Sequence, residues 1–407
     1  MTGTTTTLTA RETLHDYPMR RGCPYQPPAE YAELSKEGAL SRVRLYDGRF
    51  AWLVTHHPEA RELFADDARF SSNHENPAFP ILAERERNFP EFTQALFGLD
   101  GDPHKERRRM LLPRFTSKQV EKLRPAIQKV TDDLIDEMLA KGGPADLIAA
   151  LGRAVPATVI CQILGISYDE HELFEEHAQG IMMAPTLDQA VEAGRVLLDY
   201  LDQVVEAKKD DLSDDILSML IKERLNTGQL TQTDVSKLMV ALLIGGQETT
   251  NSMIGLGVLT LLTHPEQLAM LREDPSLLPG AVEELVRYLS IADLTTLRIA
   301  TEDVEVAGQT IKKGEGVILS TAAANRDPAV FPDADTFDIR RSTKGHLGWG
   351  HGPHRCMGEN LARAELEIVF GTLLRRVPTL RLAVPVEEIP MKVGMTLEGL
   401  LALPVTW

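Results

Sequence analysis

The segment GWGHGPHRCMG, Gly348 to Gly358, sets one thiol, Cys356, among four glycines, a proline, two histidines and an arginine. A helical pattern, GENLARAELEIVFGTLL, follows it. A cysteine at a helix N-terminus meets the positive end of the helix dipole, which lowers its pKa and favours a metal-ligating thiolate. Small residues at 348, 350, 352 and 358 would also let the backbone approach something large and flat. A glycine-rich turn with an incidental cysteine would have the same composition. Zinc fits poorly, because it takes several N or S ligands and no second cysteine lies near. A single axial thiolate suits haem iron best.

A second group is GGQETT, Gly245 to Thr250, inside the long apolar run TQTDVSKLMVALLIGGQETTNSMIGLGVLTLLTH. An acid and two hydroxyls are costly in a buried helix unless they have partners. The two glycines would weaken the helix and open room beside it. Thr249 could hold a water or dioxygen, and Glu248 could connect it to solvent protons. The alternative is a polar, exposed face. Third, Glu284 and Arg287 in EELVR lie three apart on one helix face; alone, such a pair reads as a surface ion pair of little worth. Fourth, His104 and Arg108 are four apart on one predicted helix, Arg298 opens a predicted strand, and His354 lies two before the cysteine. Singly each reads as a solvated charge; together they could grip two carboxylates through charge-assisted bonds.

The elements around these residues are mostly helical. VRLYDGRFAWLVT reads as two strands about an Asp47-Gly48 turn, and HPEARELFADD as a short helix. Residues 72–98 have weak periodicity and are expected to form a long loop, of the kind that often covers a binding site. Amphipathic helices run from Pro103 to about Lys222, with starts at Ser117 and Ser167 and a break at Gly142-Gly143-Pro144. Thr231 and Asp234 cap the long central helix, which is apolar on nearly every face and should cross the core. PGAVEELVRYLS is a further helix; strand patterns return in LRIATEDVEVAGQTIKKGEGVILS and in the tail. The expected fold is mainly α with small β-sheets near both ends, as one domain over residues 1–407.

The totals exclude some functions. Lys+Arg 43 against Asp+Glu 60 gives a net charge of −17, the wrong sign for a nucleic-acid or anionic-membrane binder. Hydrophobic residues at 43% suffice for a large interior. Cys23, Cys161 and Cys356 are an odd, scattered set, which argues against a disulfide framework and for a reducing compartment. The first residues lack the apolar core of a signal peptide, and Leu238 to Gly246 is too short to span a bilayer. A cytoplasmic location without membrane attachment is expected.

Taken together, these motifs resemble the cytochrome P450 family along essentially the whole chain. The family's haem loop, Phe-Gly-x-Gly-x-x-x-Cys-x-Gly, is matched by Trp349-Gly350-His351-Gly352-Pro353-His354-Arg355-Cys356-Met357-Gly358. Its acid–alcohol pair falls on Glu248 and Thr249, and its Glu-x-x-Arg on Glu284 and Arg287. The resemblance implies Arg341 as a third partner of that pair. It implies haem b between the long central helix and the cysteine loop, with Cys356 on the iron and Trp349 and Gly350 beside the porphyrin. The haem propionates would be held by His104, Arg108, Arg298 and His354. YPMRRGCPYQPPAEY, YLSIAD and LPVTW look most like actinobacterial members that tailor secondary metabolites or oxidise foreign compounds. Two residues depart from the pattern: Gln247 where such members usually have His, and Trp349 in place of Phe.

The implied activity is a monooxygenase that inserts oxygen, by hydroxylation or epoxidation, into a mid-sized, mostly apolar small molecule. From family placement, substrate contacts would come from the 72–98 loop and the 175–195 region. Ala241, Leu242 and Gly245, the segment Ile291 to Thr296 with Thr295 and Thr296, and Met395 to Leu397 with Thr396 would add to them. No flavin or ferredoxin-like domain is visible, so NAD(P)H electrons would arrive through a separate ferredoxin and ferredoxin reductase. Arg107, Arg109 and Arg355 are candidates for a basic docking patch. A monomer is expected. Two other classes remain: a peroxide-driven haem-thiolate oxidase and a non-catalytic haem-binding or gas-sensing protein. An axial Cys356 predicts that Cys356→Ser loses the reduced carbon monoxide band typical of thiolate-bound haem. Cys23→Ser and Cys161→Ser should keep it; a normal band in the Cys356 variant overturns the assignment.

Overall fold

The computed structural model describes residues 14–88, 94–168 and 171–407; residues 1–13 and 89–93, which belong to the N-terminal and 72–98 expectations, lie outside it. The hairpin forms as its turn residues demand. Strands β2 (Leu40–Arg44) and β3 (Phe50–Val54) pair antiparallel with Arg44 opposite Phe50, and Gly48 takes φ of +83° in the turn. The N-terminal hairpin and the strands of residues 297–300 and 316–319 meet in one sheet, while the tail forms another. β3 pairs parallel with β9 (Gly316–Leu319), and the six-stranded order is β1-β2-β3-β9-β6-β4. Here β1 is His15–Asp16, β4 is Phe70–Ser71 and β6 is Leu297–Ala300. The tail strands β10 (Arg381–Leu382) and β11 (Pro404–Thr406) join β5 (Ala145–Asp146), and β7 (Val304–Val306) pairs with β8 (Gln309–Ile311).

The helices carry the core. In chain order they begin with α1 (Ala29–Glu37), α2 (His57–Ala65), α3 (Gly101–Leu111) and α4 (Ser117–Lys141). Next come α5 (Ala154–Leu164), α6 (His171–Met183), α7 (Leu187–Lys208) and α8 (Ile216–Leu220). The last are α9 (Gln232–Thr263), α10 (Pro265–Glu273), α11 (Leu278–Leu289), α12 (Thr321–Ala324) and α13 (Glu359–Arg376). The helix expected from Ser167 is described from His171 onward. α4 stops where Gly142, at φ of +79°, turns the chain. The 72–98 loop is irregular in its described part apart from one 3-10 stretch, Glu84–Asn88.

α9 is the central helix. Thr231 accepts a hydrogen bond from the Asp234 N–H while the Asp234 carboxylate accepts from the Thr231 N–H, a complete capping box. From Val235 to Leu261 most of its residues are buried, so the helix is surrounded by protein, as its apolar faces require. It runs unbroken through Gly245 and Gly246. The expected opening is filled at one of them: a Cβ on Gly246 would lie 2.9 Å from Ile160 of α5. The glycine allows close helix packing there. Among the described residues, no helix is long and apolar enough to cross a membrane.

The pair Glu284–Arg287 is fully buried, not a surface pair. Arg287 donates through Nε and Nη2 to the two carboxylate oxygens at 2.7 and 2.8 Å. Its Nη1 donates to the carbonyls of Asn325 and Ala334. Glu284 also accepts from the Asp338 N–H at 3.1 Å and from Arg341 Nε at 3.2 Å, so Arg341 is the third partner. Asn325 continues the chain of contacts, accepting from the Leu347 N–H at 2.7 Å directly before the cysteine loop. Removing Glu284 would strand a buried guanidinium, at a cost of roughly 3–5 kcal/mol. Glu284→Ala should therefore give unfolded or haem-free protein, read by circular dichroism and haem content. A folded, fully loaded variant would refute this role.

Candidate active site

Cys356 is positioned by its loop. Its backbone N–H donates to the Trp349 carbonyl at 2.8 Å, and Gly350 and Gly352 adopt φ of +69° and +68°, a region that favours glycine. Two of the loop glycines serve packing and do not give access to a flat group. A Cβ on Gly352 would fall 2.5 Å from the Phe64 carbonyl oxygen, and one on Gly348 would fall 2.6 Å from Val286. The loop is thus wedged against α2 and α11. Gly358 has nothing within 4 Å of a would-be Cβ.

The Cys356 thiol is accessible, yet enough protein surrounds it for burial to push its pKa up. The lowered pKa expected from a helix N-terminus is not found. α13 begins three residues later at Glu359. The Gly358 N–H, Arg108 and Arg363 favour the thiolate by less than desolvation disfavours it. A metal cation would reverse that balance, because a coordinating thiol is deprotonated outright.

The four predicted basic residues converge from α3, β6 and the cysteine loop. The His104 and His354 rings stack with centroids 3.9 Å apart and planes 12° from parallel. Burial pushes His104 down to about 4, and the His354 and Arg108 charges add to this. Burial also pushes Arg298 down to about 10, against Asp100 and Asp67. His354 is likewise lowered by burial, with Asp100, 3.6 Å away, opposing. His104 Nδ1 is buried and has no hydrogen-bond partner among the described residues. The cluster therefore gathers basic groups that burial drives toward their neutral forms, with His104 Nδ1 left without a partner among the described residues. Two carboxylates of a porphyrin would supply negative charge and hydrogen-bond acceptors to these groups. His74, from the 72–98 loop, was not singled out by the sequence reading. It is pushed down to about 4 by burial and then by Arg298, and its Nδ1 also lacks a partner among the described residues.

On the central helix, Thr249 Oγ1 donates to the Gly245 carbonyl at 2.8 Å. Glu248 forms an ion pair with Lys392 Nζ, which also lies 3.3 Å from Ser252 Oγ. Lys392 comes from the tail, and no spacing rule linked it to Glu248. Both line a cleft with Gln247, Ile244, Glu175, Gln179 and the tail residues Met395, Thr396 and Leu397. The cleft holds about 430 Å³ of empty space, its open mouth included. Thr250 bonds on the other side to Glu365 of α13, a fully buried carboxyl pushed up to about 8 by that burial.

Of the other predicted substrate contacts, Gly245 is exposed, and a Cβ there would lie 3.4 Å from Phe97 of the 72–98 loop. Ala241, Leu242 and Ile291 are packed into the main core. Thr295 and Thr296 donate their hydroxyls to backbone carbonyls, and Thr396 is buried in the cleft wall. In the 175–195 region, the side chains of residues 182 and 183 lie outside the description. Arg355 is tied to Glu359 at 2.8 Å, and Arg107 lies 3.9 Å from Asp234. Those two charges are partly neutralised within the chain, while Arg109 is exposed.

Trp349 does not donate to the Cys356 sulfur. Its indole N–H donates to Glu283 Oε2 at 3.2 Å. His346 and Arg363 share that carboxylate at 2.9 and 2.5 Å. The guanidinium of Arg363 lies over the indole ring, 4.9 Å from its centroid.

This fold and loop geometry agree with a family match: the Cytochrome P450 model covers residues 26–396, and the chain belongs to that family. It is a haem-containing monooxygenase of the type found in actinobacterial secondary metabolism. Pentalenic acid synthase of Streptomyces avermitilis is 48% identical over 391 residues, 96% of this chain and 97% of the relative. Vitamin D3 dihydroxylase of Streptomyces griseolus is 45% identical over 392 residues, 96% of each. The solved structure of the mycinamicin VIII C21 methyl hydroxylase of Micromonospora griseorubida superposes with a TM-score of 0.92 at 36% identity. That match covers 97% of this chain and 100% of the other.

Glu365 gives a pH test. Its folded pKa, about 8, exceeds the ordinary 4.5, so the folded state holds a proton that the unfolded state releases. Stability is fully retained below about pH 4.5 and falls as pH rises toward 8, by up to roughly 1.4 kcal/mol per pH unit. Glu365→Gln, a neutral isostere, should lose less stability over that window. The thermal midpoint of the variant minus that of wild type should rise from pH 5 to 8; a constant difference would mean that Glu365 is ionised in the folded protein.

Proposed function

We propose that the chain oxidises a mid-sized, mostly apolar small molecule, in secondary metabolism, with Cys356 as the axial ligand of a bound haem b. The carrying observation is the set of buried basic groups His104, Arg108, Arg298 and His354 gathered beside the Cys356 loop. Burial drives them toward their neutral forms, and two propionates would supply carboxylates that favour the charged ones. A haem held there would supply the dioxygen chemistry, and the Cys356 thiolate as its ligand would donate the electron density that favours O–O cleavage. Protein side chains do the rest. Glu248 and Thr249 deliver protons to the oxygen side, with Thr249 Oγ able to turn from the Gly245 carbonyl to a hydrogen-bonded water. Met395, Thr396, Leu397 and Ile244 offer mainly apolar surface with one hydroxyl to a substrate. Electrons come from NAD(P)H through a ferredoxin and its reductase, and the chain acts as a single domain and a monomer.

A substrate screen by difference spectroscopy tests the reading. Small molecules that bind should move the Soret band as they displace water from the haem. The relay is tested separately. Thr249→Ala should still bind haem and substrate but divert reducing equivalents to peroxide, so that product per NAD(P)H consumed falls while peroxide rises. Unchanged coupling would remove Thr249 from proton delivery.

A further inference from the structure

The cysteine loop contains a carboxylate clamp that the activity does not account for. Glu283 lies in α11 next to Glu284, but its side chain serves the opposite purpose. Glu284 is turned inward to Arg287 and Arg341. Glu283, about a quarter exposed, collects three donors from the segments that flank Cys356. His346 donates from before the loop at 2.9 Å, Trp349 from within it at 3.2 Å, and Arg363 from α13 at 2.5 Å. The bond from His346 and the Arg363 charge hold the Glu283 carboxyl down to about 2 against its own desolvation. It is an anion at every working pH.

The indole is the part of this arrangement that belongs to the cysteine loop itself. Trp349 is joined to Cys356 directly, through the Cys356 N–H on its carbonyl at 2.8 Å. An indole has a single N–H to give. If it goes to Glu283 it cannot go to the sulfur. Arg363 reinforces the choice twice: it stacks over the ring and is itself paired to the same carboxylate. A phenylalanine at this position would need no such partner. The Trp for Phe departure and the Glu283 acceptor therefore belong together.

We propose that Glu283 is a positioning residue that holds the Trp349 indole N–H away from the Cys356 sulfur and so preserves the donor strength of the thiolate. This rests on the reading of Cys356 as the iron ligand. Hydrogen bonds to a ligating sulfur withdraw charge and tune the metal. Without Glu283, the indole is free to donate to the sulfur, and the iron becomes easier to reduce.

The test is a reduction-potential titration on haem-loaded protein, with the reduced carbon monoxide band as a control. Glu283→Ala should shift the potential to more positive values, and adding Trp349→Phe should return it toward wild type. Trp349→Phe alone should leave it unchanged, because the clamped N–H does not touch the sulfur. Glu283→Gln keeps an acceptor for the indole and should shift the potential less than Glu283→Ala. An unchanged potential in Glu283→Ala overturns the proposal, as does a rise that persists after Trp349→Phe. If Glu283→Ala does not load haem, Trp349→Phe alone still decides: a lower potential in it would mean that the indole already reaches the sulfur. A missing thiolate-type band in the wild type would instead refute the ligand assignment itself, which separates the two failures.

Discussion

The buried pair Glu284–Arg287 is the constraint on which the rest of the molecule depends. Neither partner touches solvent, so each must be fully satisfied or the interior is penalised by several kcal/mol. Satisfaction comes from far along the chain. Arg287 binds the carbonyls of Asn325 and Ala334, and Glu284 binds the Asp338 N–H and Arg341. These bonds fix the irregular stretch from residue 325 to 341 on α11. That stretch has little regular structure of its own to hold it. Asn325 then sets the entry to the cysteine loop through Leu347. Precision at Cys356 thus originates in an ion pair outside its loop.

A second organising fact is the gathering of basic groups in a partly desolvated site. His354 and Arg298 face Asp100 and Asp67, His104 faces Asp100, and the half-buried Arg108 faces Glu359 and Cys356. Burial drives each of them toward its neutral form, which is the usual response to unpaired charge in a low dielectric. Such an arrangement is unfavourable for folding alone and favourable for an anionic ligand. On the opposite side of the chain's logic, Glu283 gathers donors around the cysteine loop until its own charge is secure. The region around Cys356 therefore has a cation-rich side and a carboxylate clamp, contributed by different elements.

The central helix reconciles burial with polarity in two directions. Glu248 finds Lys392 from the tail, and Thr250 finds Glu365 from α13. Thr249 lies between them and satisfies itself on the Gly245 carbonyl. Gly246 lets α5 approach, and Gly399 makes room in the tail, where a Cβ would fall 2.5 Å from Ser252 Oγ and 3.2 Å from Lys392 Nζ. The helix stays regular because its polar residues are paired laterally, without breaking the backbone ladder. The tail segment that supplies Lys392 also lines the cleft with Met395 to Leu397, so the partner of Glu248 and the cleft wall share one support.

Local patterns determined much of this by themselves. The Asp47-Gly48 hairpin, the Thr231–Asp234 cap, the apolar run of α9 and the cysteine loop are all carried by residues within a few positions of one another. Their physics is short-range: turn conformations, capping bonds and helical periodicity. The spacing of Glu284 and Arg287 placed them on one face, but only packing made them buried. What depended on distant parts of the chain was not legible. Residues 316–319 and 50–54 gave no sign that they would pair in one sheet. Nothing local linked Lys392 to Glu248, Glu365 to Thr250, or Glu283 to Trp349. Gly348 and Gly352 looked like room for a flat ligand and proved to be room for Val286 and Phe64. The Cys356 thiol was expected to be acidified by a helix end, and burial raised its pKa instead. In each case the outcome rests on desolvation and on a partner's three-dimensional position, which only the folded chain supplies.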